Sequence, residues 1–250
     1  MLLMAGPIGQ FPTCILYQSC NPAPRYREAK TFMPDIILPG SAGRIEVRYQ
    51  RQKNPGAPMA LVLHPHPQFG GTMNNPLVYD LFHMFHKEGC TTVRFNFRGV
   101  GRSQGTFDSG AGELSDAAAV LDWMNTLYPN PSNVWVCGIS FGAWIGMQLL
   151  MRRPEITGFV SIAPPASMYD FAFLAPCPAS GLIVHGTKDQ VVPEPDVQKL
   201  VDRLTAQKGI KITYQKIEGA NHFFDKHEAE VVETVETYVH EMMSKPREGR

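Results

Sequence analysis

One short motif could carry nucleophilic chemistry: the sequence GISFG at residues 138–142, which places Ser140 between two glycines. An apolar run typical of a buried strand, 134–137, precedes it, and a helical pattern, 140–152, follows it. In a strand–turn–helix this tight, side chains at the two glycine positions would collide with neighbouring backbone. The pattern therefore predicts a serine nucleophile at the N-terminal end of a helix, where N–H groups and the helix dipole favour negative charge.

A serine hydroxyl is a weak nucleophile unless a base accepts its proton. His222 lies in the loop after the last predicted strand, and Asp189 lies in the loop after the strand before it. Glu194 and Asp196 compete with Asp189, but they belong to the following helix. The ordinary alternatives are a surface-loop histidine and an aspartate that caps a turn. We predict a catalytic set of Ser140, His222 and Asp189.

Cleavage of a carbonyl compound also needs hydrogen-bond donors for the oxyanion. The N–H of Phe141 is the first predicted donor, because it follows the nucleophile directly. The second should come from the loop HPHPQFGG at 64–71, whose prolines have no N–H. That leaves His66, Gln68 and Phe69, among which we favour His66.

Substrate contacts are predicted for Phe69 and Gly70 in the same loop and for Trp144 on the helix after the nucleophile. The pair His64 and His66 could instead suggest a metal, but no third ligand lies at suitable spacing. Hydrogen bonds that stiffen the loop are the favoured role for these histidines. We expect neither a metal nor a cofactor.

The segment RGVGRS at 98–103 lacks the spacing of a dinucleotide-binding motif. Arg98 and Arg102 could bind an anionic substrate, although structural salt bridges are the favoured interpretation. Glu113 and Asp116 suit the start of a helix, where acidic side chains complement the dipole.

The elements that position these residues alternate along the chain, which predicts a mostly parallel sheet with helices on both faces. Strands are predicted at 36–38, 44–49, 60–63, 91–97, 134–137, 158–163, 181–185 and 212–217, and helices at 75–87, 113–127, 140–152, 195–207 and 225–243. One domain should span 33–245, followed by a frayed tail at 246–250. Residues 1–32 read as an irregular extension, either disordered or upstream of a biological start at Met33.

Composition excludes several classes of protein. Lys plus Arg and Asp plus Glu each number 23, so nothing favours nucleic acid or an anionic membrane as a partner. No apolar run is long enough to span a bilayer. The five scattered cysteines do not suggest a disulfide framework, and we expect a reducing cytoplasmic compartment. The expected partner is a small-molecule substrate, with a homodimer as the first oligomer to test.

From about residue 33 to 243 the chain resembles the α/β-hydrolase superfamily. The segments HPHPQFGGTMNN at 64–75, FNFRGVGRS at 95–103 and GANHFF at 219–224 resemble small bacterial hydrolases that are similar to dienelactone hydrolases and prolyl-oligopeptidase-like enzymes. The resemblance implies a three-layer α/β-hydrolase fold and a Ser-His-Asp triad. The order Ser140, Asp189, His222 is the order expected of that fold. Dienelactone hydrolases use a cysteine nucleophile, whereas this chain has Ser140.

The connection at 164–180 is short and holds four prolines, so it can form little more than one short helix around 169–174. It is too short for a large cap domain, which predicts an open site that prefers short acyl groups. We expect hydrolysis of a carboxylic ester, thioester or lactone. The alternatives are a small serine peptidase or amidase and a non-catalytic ligand-binding protein.

Deletion of residues 1–32 should leave the melting temperature and the hydrolytic activity unchanged. The segment has no periodic apolar face that could dock on a core, and such termini are usually loosely held. Thermal unfolding of the full and shortened chains checks this prediction, and a loss of several degrees would show that the segment packs.

Overall fold

The computed structural model describes residues 35–245. Its strands are β1 (Asp35–Gly40), β2 (Gly43–Gln50), β3 (Met59–Leu63), β4 (Thr91–Phe95), β5 (Val134–Ile139), β6 (Gly158–Ile162), β7 (Gly181–Gly186) and β8 (Ile212–Ile217). Its α-helices are α1 (Pro76–Lys87), α2 (Ala111–Leu127), α3 (Phe141–Leu150), α4 (Glu194–Thr205) and α5 (Glu228–Ser244). The segments predicted at 1–32 and 246–250 lie outside the described residues, so the predicted division of the chain stays a prediction.

All eight strands form one sheet in the order β1-β2-β4-β3-β5-β6-β7-β8. Strands β1, β2 and β4 pair antiparallel, and every pairing from β4 to β8 is parallel. One hydrophobic cluster joins the sheet to α2, α3 and α4, and a second joins the opposite face to α1 and α5. The predicted three-layer, mostly parallel architecture is confirmed.

The central strands are covered on both faces, which explains their continuous apolar sequences. Every residue of β3, β5, β6 and β7 is buried. In the parallel register Leu63 lies beside Gly138, and Ile139 lies beside Ile162. The loops that leave β3, β5, β7 and β8 therefore meet at the carboxyl edge of the sheet, where ligands of such folds bind.

The helix predicted around 169–174 is wrong, because residues 163–180 contain only turns. Backbone hydrogen bonds of isolated turns, such as the one from the N–H of Tyr169 to the carbonyl of Pro165, and bonds from side chains together hold this segment. The N–H of Ala172 donates to Asp170, and Gln207 accepts from the N–H of Cys177 and donates to the carbonyl of Leu174. No cap domain is inserted within residues 35–245, as expected for this connection.

Helix α5 begins three residues later than predicted. The side-chain oxygen of Asn221 accepts hydrogen bonds from the N–H groups of Phe223 and Asp225, which keeps this stretch in turns. Among residues 35–245, no helix combines the length and the apolar character that crossing a membrane requires.

A buried ion pair joins the exit of β4 to α2. The guanidinium of Arg98 donates to both carboxylate oxygens of Asp116 at 2.8 and 3.0 Å, and the backbone N–H of Arg98 donates to the same carboxylate. The structural role predicted for Arg98 is confirmed. The carboxylate of Glu113 accepts from the N–H groups of Asp108 and Gly110, so it closes the start of α2.

Asp116→Ala should lower the free energy of unfolding by about 3–5 kcal/mol, since it leaves the buried Arg98 guanidinium with only a longer ion pair, 3.7 Å to the exposed carboxylate of Asp108. Asp122→Ala is the matched control, because Asp122 pairs with Arg153 on an exposed surface and should cost no more than about 1 kcal/mol. Chemical denaturation of both variants makes the comparison. Equal losses would contradict a stabilising role for the buried pair.

Candidate active site

Ser140 occupies a strained turn between β5 and α3, with φ at 51° and ψ at −116°. Its N–H donates to the carbonyl of Ile162 at 2.8 Å, which fixes the turn to β6. A Cβ on Gly142 would lie 2.5 Å from the carbonyl oxygens of Leu63 and His64, and one on Gly138 would collide with the carbonyl of Gly142. Only glycine fits at either position, as the motif predicts.

The structure brings the three predicted catalytic side chains together. The hydroxyl of Ser140 lies 2.9 Å from Nε2 of His222, and Nδ1 of His222 lies 2.7 Å from Oδ2 of Asp189. A carboxylate only accepts hydrogen bonds, so Nδ1 carries the proton. Nε2 is then the acceptor for the hydroxyl proton of Ser140. This is the tautomer in which His222 can act as a base.

Asp189 is buried, yet its surroundings favour the ionised form. Burial opposes ionisation, but the hydrogen bond from His222, the electrostatic attraction between that ring and the carboxylate, and the N–H of Val192 lower the pKa of Asp189. The N–H groups of Val191 and Val192 both donate to Oδ1 at 2.8 Å. The competing acid Glu194 instead pairs with Lys216.

Sequence reasoning missed a second imidazole beside Asp189. His185 is fully buried, and its Nε2 donates to the carbonyl of Val192 at 3.0 Å while lying 3.6 Å from Oδ2 of Asp189. Burial lowers the pKa of His185, so the ring is neutral. Within residues 35–245, its Nδ1 has no hydrogen-bond partner. The sequence did contain a signal for this residue, since His185 is the one ionisable side chain in the otherwise apolar strand β7.

His64 holds the loop after β3 in place. Its Nδ1 donates to the carbonyl of Pro65 at 2.6 Å, and its Nε2 accepts from the N–H of Phe97 at 3.1 Å. Burial lowers the pKa of His64 to about 4, although the hydrogen bond to Pro65 opposes this. Both ring nitrogens therefore serve the loop-stiffening role that we expected. Because the N–H of Phe97 donates to His64 rather than to a neighbouring strand, β4 ends at Phe95, two residues earlier than predicted.

The three candidates for the second oxyanion donor differ in what they already bind. The N–H of Gln68 donates to Nδ1 of His66, and the N–H of Phe69 donates to the carbonyl of His66. The N–H groups of His66 and Phe141 find no acceptor among residues 35–245. These two N–H groups are therefore the ones available to an oxyanion.

An aromatic cluster surrounds the ring of Phe141. The rings of His66, Phe107, Trp144 and Tyr169 have their centroids between 4.8 and 5.9 Å from it. Trp144 is half-buried and stacks on Tyr169 with centroids 4.3 Å apart. The predicted substrate contact Trp144 thus stands beside Phe141, the predicted oxyanion donor.

The other two predicted substrate contacts lie in the loop after β3. Phe69 is 60% exposed, and its ring centroid lies 4.7 Å from that of His66. Gly70 is exposed and has a positive φ of 80°, which ends the short 3-10 turn Pro67–Phe69. A substrate role for Phe69, Gly70 and Trp144 stays a prediction.

Comparison with known proteins gives matches along the whole described domain. Residues 35–177 match the family model of X-Pro dipeptidyl-peptidases (S15 family), which spans more than half of the chain. Residues 166–245 match the model of the prolyl oligopeptidase family.

Three solved structures share both fold and sequence with this chain. A protein of unknown function from Agrobacterium tumefaciens is 60% identical, with a TM-score of 0.83, over 84% of this chain and 96% of that one. An α/β serine hydrolase homologue from Coxiella burnetii is 34% identical, with a TM-score of 0.73, over 82% and 97%. A serine hydrolase without a lid from Xanthomonas campestris is 30% identical, with a TM-score of 0.77, over 86% and 97%.

The depressed pKa of His64 predicts a loss of stability in acid. Its pKa is about 4 in the folded chain and 6.5 ordinarily, so the unfolded chain binds the proton more tightly. The contribution of neutral His64 to the free energy of unfolding is complete above pH 6.5 and is lost as the pH falls toward 4. Between about pH 7.5 and about pH 4.5 this amounts to about 2.5 kcal/mol.

His64→Gln should remove that part of the pH dependence, because an amide can both donate and accept without titrating. His240→Gln is the control, since the His240 side chain is 71% exposed. Denaturation curves at the two pH values measure the difference. A pH dependence that is identical in wild type and His64→Gln would contradict the assignment.

Proposed function

The chain belongs to the α/β-hydrolase superfamily, and from this we propose that it is a serine hydrolase that cleaves a carboxylic ester, thioester or lactone through an acyl-enzyme. The observation that carries the proposal is the continuous hydrogen-bonded chain from Ser140 through His222 to Asp189. The N–H groups of Phe141 and His66, which find no acceptor within the described part of the chain, support the same reaction.

In the proposed first step, Oγ of Ser140 attacks the carbonyl carbon while Nε2 of His222 takes its proton. The carbonyl oxygen becomes an oxyanion, which the N–H groups of Phe141 and His66 stabilise. Collapse of this intermediate breaks the bond to the leaving group, and His222 returns the proton to it. Water then repeats the sequence on the acyl-enzyme, which releases the acid and regenerates the Ser140 hydroxyl.

Asp189 would stabilise the imidazolium that forms in both steps. Its charge is held by two N–H groups of its own loop, so the carboxylate keeps its orientation when His222 gains a proton. The neutral ring of His185 adds no positive charge that would discourage protonation of His222. These contacts support the role of base and acid for His222.

Esters are the least demanding substrate class for this machinery. An amine must be protonated before the C–N bond breaks, whereas an alkoxide or thiolate leaves more readily, so a triad that cleaves amides also cleaves esters. A serine peptidase or amidase remains the second candidate, because both matching family models describe peptidases. Rates on an ester and an amide of the same acyl group separate the two.

We also propose the cytoplasm as the location. The cysteines Cys90, Cys137 and Cys177 are free and buried, and burial raises the pKa of Cys90 to about 12. Neutral, buried thiols of this kind fit a reducing compartment.

Ser140→Ala should lower turnover of an activated ester on the order of a millionfold and abolish labelling by a fluorophosphonate, because the nucleophile is gone. His222→Ala should lose nearly as much, and the double variant should lose no more than either alone, since the residues act as one unit. Ser132→Ala, an exposed serine outside the site, is the control. Near-normal turnover by folded Ser140→Ala would contradict the role of Ser140 as nucleophile. Losses that multiply in the double variant would contradict the role of His222 as its base.

A further inference from the structure

The exposed large apolar side chains of the described residues are not scattered. There are five, and four of them lie on loops at the carboxyl edge of the sheet: Phe69, Met168, Val191 and Phe223, with exposed fractions of 60%, 43%, 45% and 50%. The fifth, Leu127, lies at the far end of α2. We call the four the apolar rim. Single exposed apolar residues need no explanation, but a group gathered around one site marks a ligand surface.

Two members of the apolar rim flank the pair formed by Asp189 and His222. Phe223 directly follows His222, and the two rings are nearly perpendicular with centroids 5.4 Å apart. Val191 lies in the turn whose N–H groups hold Asp189. The Val191 backbone and the Phe223 ring are therefore each in direct contact with the pair formed by Asp189 and His222.

The other two members stand on the oxyanion side. Phe69 packs its ring against His66, and Met168 precedes Tyr169, whose ring meets that of Phe141. On this side the rings of Phe141, Trp144 and Tyr169 pack against one another and form a wall. The ring of Trp144 closely covers Gly110, where even a Cβ would collide with it.

The chemistry assigns the two sides of the mouth to different parts of a substrate. His222 returns its proton to the leaving group, so the atoms of the leaving group must lie next to Nε2 of His222 and hence beside Phe223. The acyl carbon instead faces the oxyanion donors and the aromatic wall. The turns at 163–180 provide no cap that could enclose a long chain there.

We propose that the substrate is an ester or thioester of a small acid with a bulky apolar alcohol or thiol, and that the apolar rim binds this leaving group. This inference rests on the proposed function and adds the substrate class to it. The leaving group lies on the open rim rather than inside a tunnel, so affinity comes from Phe223 and Val191 first. Phe69 and Met168 lie on the opposite side of the mouth, next to His66 and Tyr169.

Two series of esters test the proposal with the full chain. Each ester is used below the concentration at which it aggregates. Alkyl acetates from ethyl to octyl vary the leaving group at nearly constant alcohol pKa, and ethyl esters from acetate to octanoate vary the acyl group. The value of kcat/KM should rise on the order of tenfold from ethyl to octyl acetate, because added methylenes are partly buried on the rim. It should stay level or fall along the acyl series.

Variants then locate the effect. Phe223→Ser should lower the octyl-to-ethyl ratio of kcat/KM about fivefold, Val191→Thr should lower it less, and Leu127→Ser should leave it unchanged. A ratio that Phe223→Ser and Leu127→Ser change equally would overturn the proposal, as would a preference that follows the acyl series. So would a dimer that Phe223→Ser converts to monomer, because the rim would then be a subunit interface.

Failure of the proposed function gives a different result. In that case the wild-type chain hydrolyses neither series and does not react with a fluorophosphonate. If it reacts and hydrolyses ethyl acetate, but kcat/KM does not depend on the length of the alcohol, the serine chemistry stands and the apolar rim does not bind the leaving group.

Discussion

The close approach of α3 to the end of β3 is the constraint on which the rest of the site depends. Gly142 lies directly against the carbonyls of Leu63 and His64, so the N-terminus of α3 and the loop after β3 share one small volume. The N–H groups of Phe141 and His66, which have no acceptor among residues 35–245, belong to these two segments. The strained φ of Ser140, which costs about 1–3 kcal/mol, persists because β5 fixes the start of the turn, α3 fixes its end, and the N–H of Ser140 donates to Ile162 in β6.

The other half of the site depends on a buried charge. Asp189 has little exposure to water, so its ionisation requires donors from the protein, and the backbone of Val191 and Val192 supplies two of them. The hydrogen bond from His222 and the N–H groups of this turn together compensate the carboxylate. Because the two N–H groups bind Oδ1, Oδ2 accepts the hydrogen bond from Nδ1 of His222. The neutral His185 lies 3.6 Å from Oδ2 and donates its Nε2 proton to the carbonyl of Val192 instead.

Strands and the triad could be predicted because their signals are local. A continuous apolar run marks a strand buried on both faces, and chain order then places Ser140, Asp189 and His222 at one edge of the sheet. The turns at 163–180 and the late start of α5 could not be predicted in the same way. They depend in part on single side chains: Gln207 bonds backbone groups of the turns from a distant segment, and Asn221 accepts from N–H groups of its own loop. No periodicity in the sequence records such bonds.

In the proposed reaction, a surface for the leaving group would select substrates in only one of the two half-reactions. The leaving group is present during acylation and has departed before water attacks the acyl-enzyme, so contacts with Phe223 can act on kcat/KM but not on deacylation. A small acyl group leaves the Ser140 ester accessible to water, because nothing within residues 163–180 closes over it. All alcohols attached to one acid then pass through the same acyl-enzyme. A surface for the leaving group therefore gives specificity to the proposed enzyme without slowing its common second step.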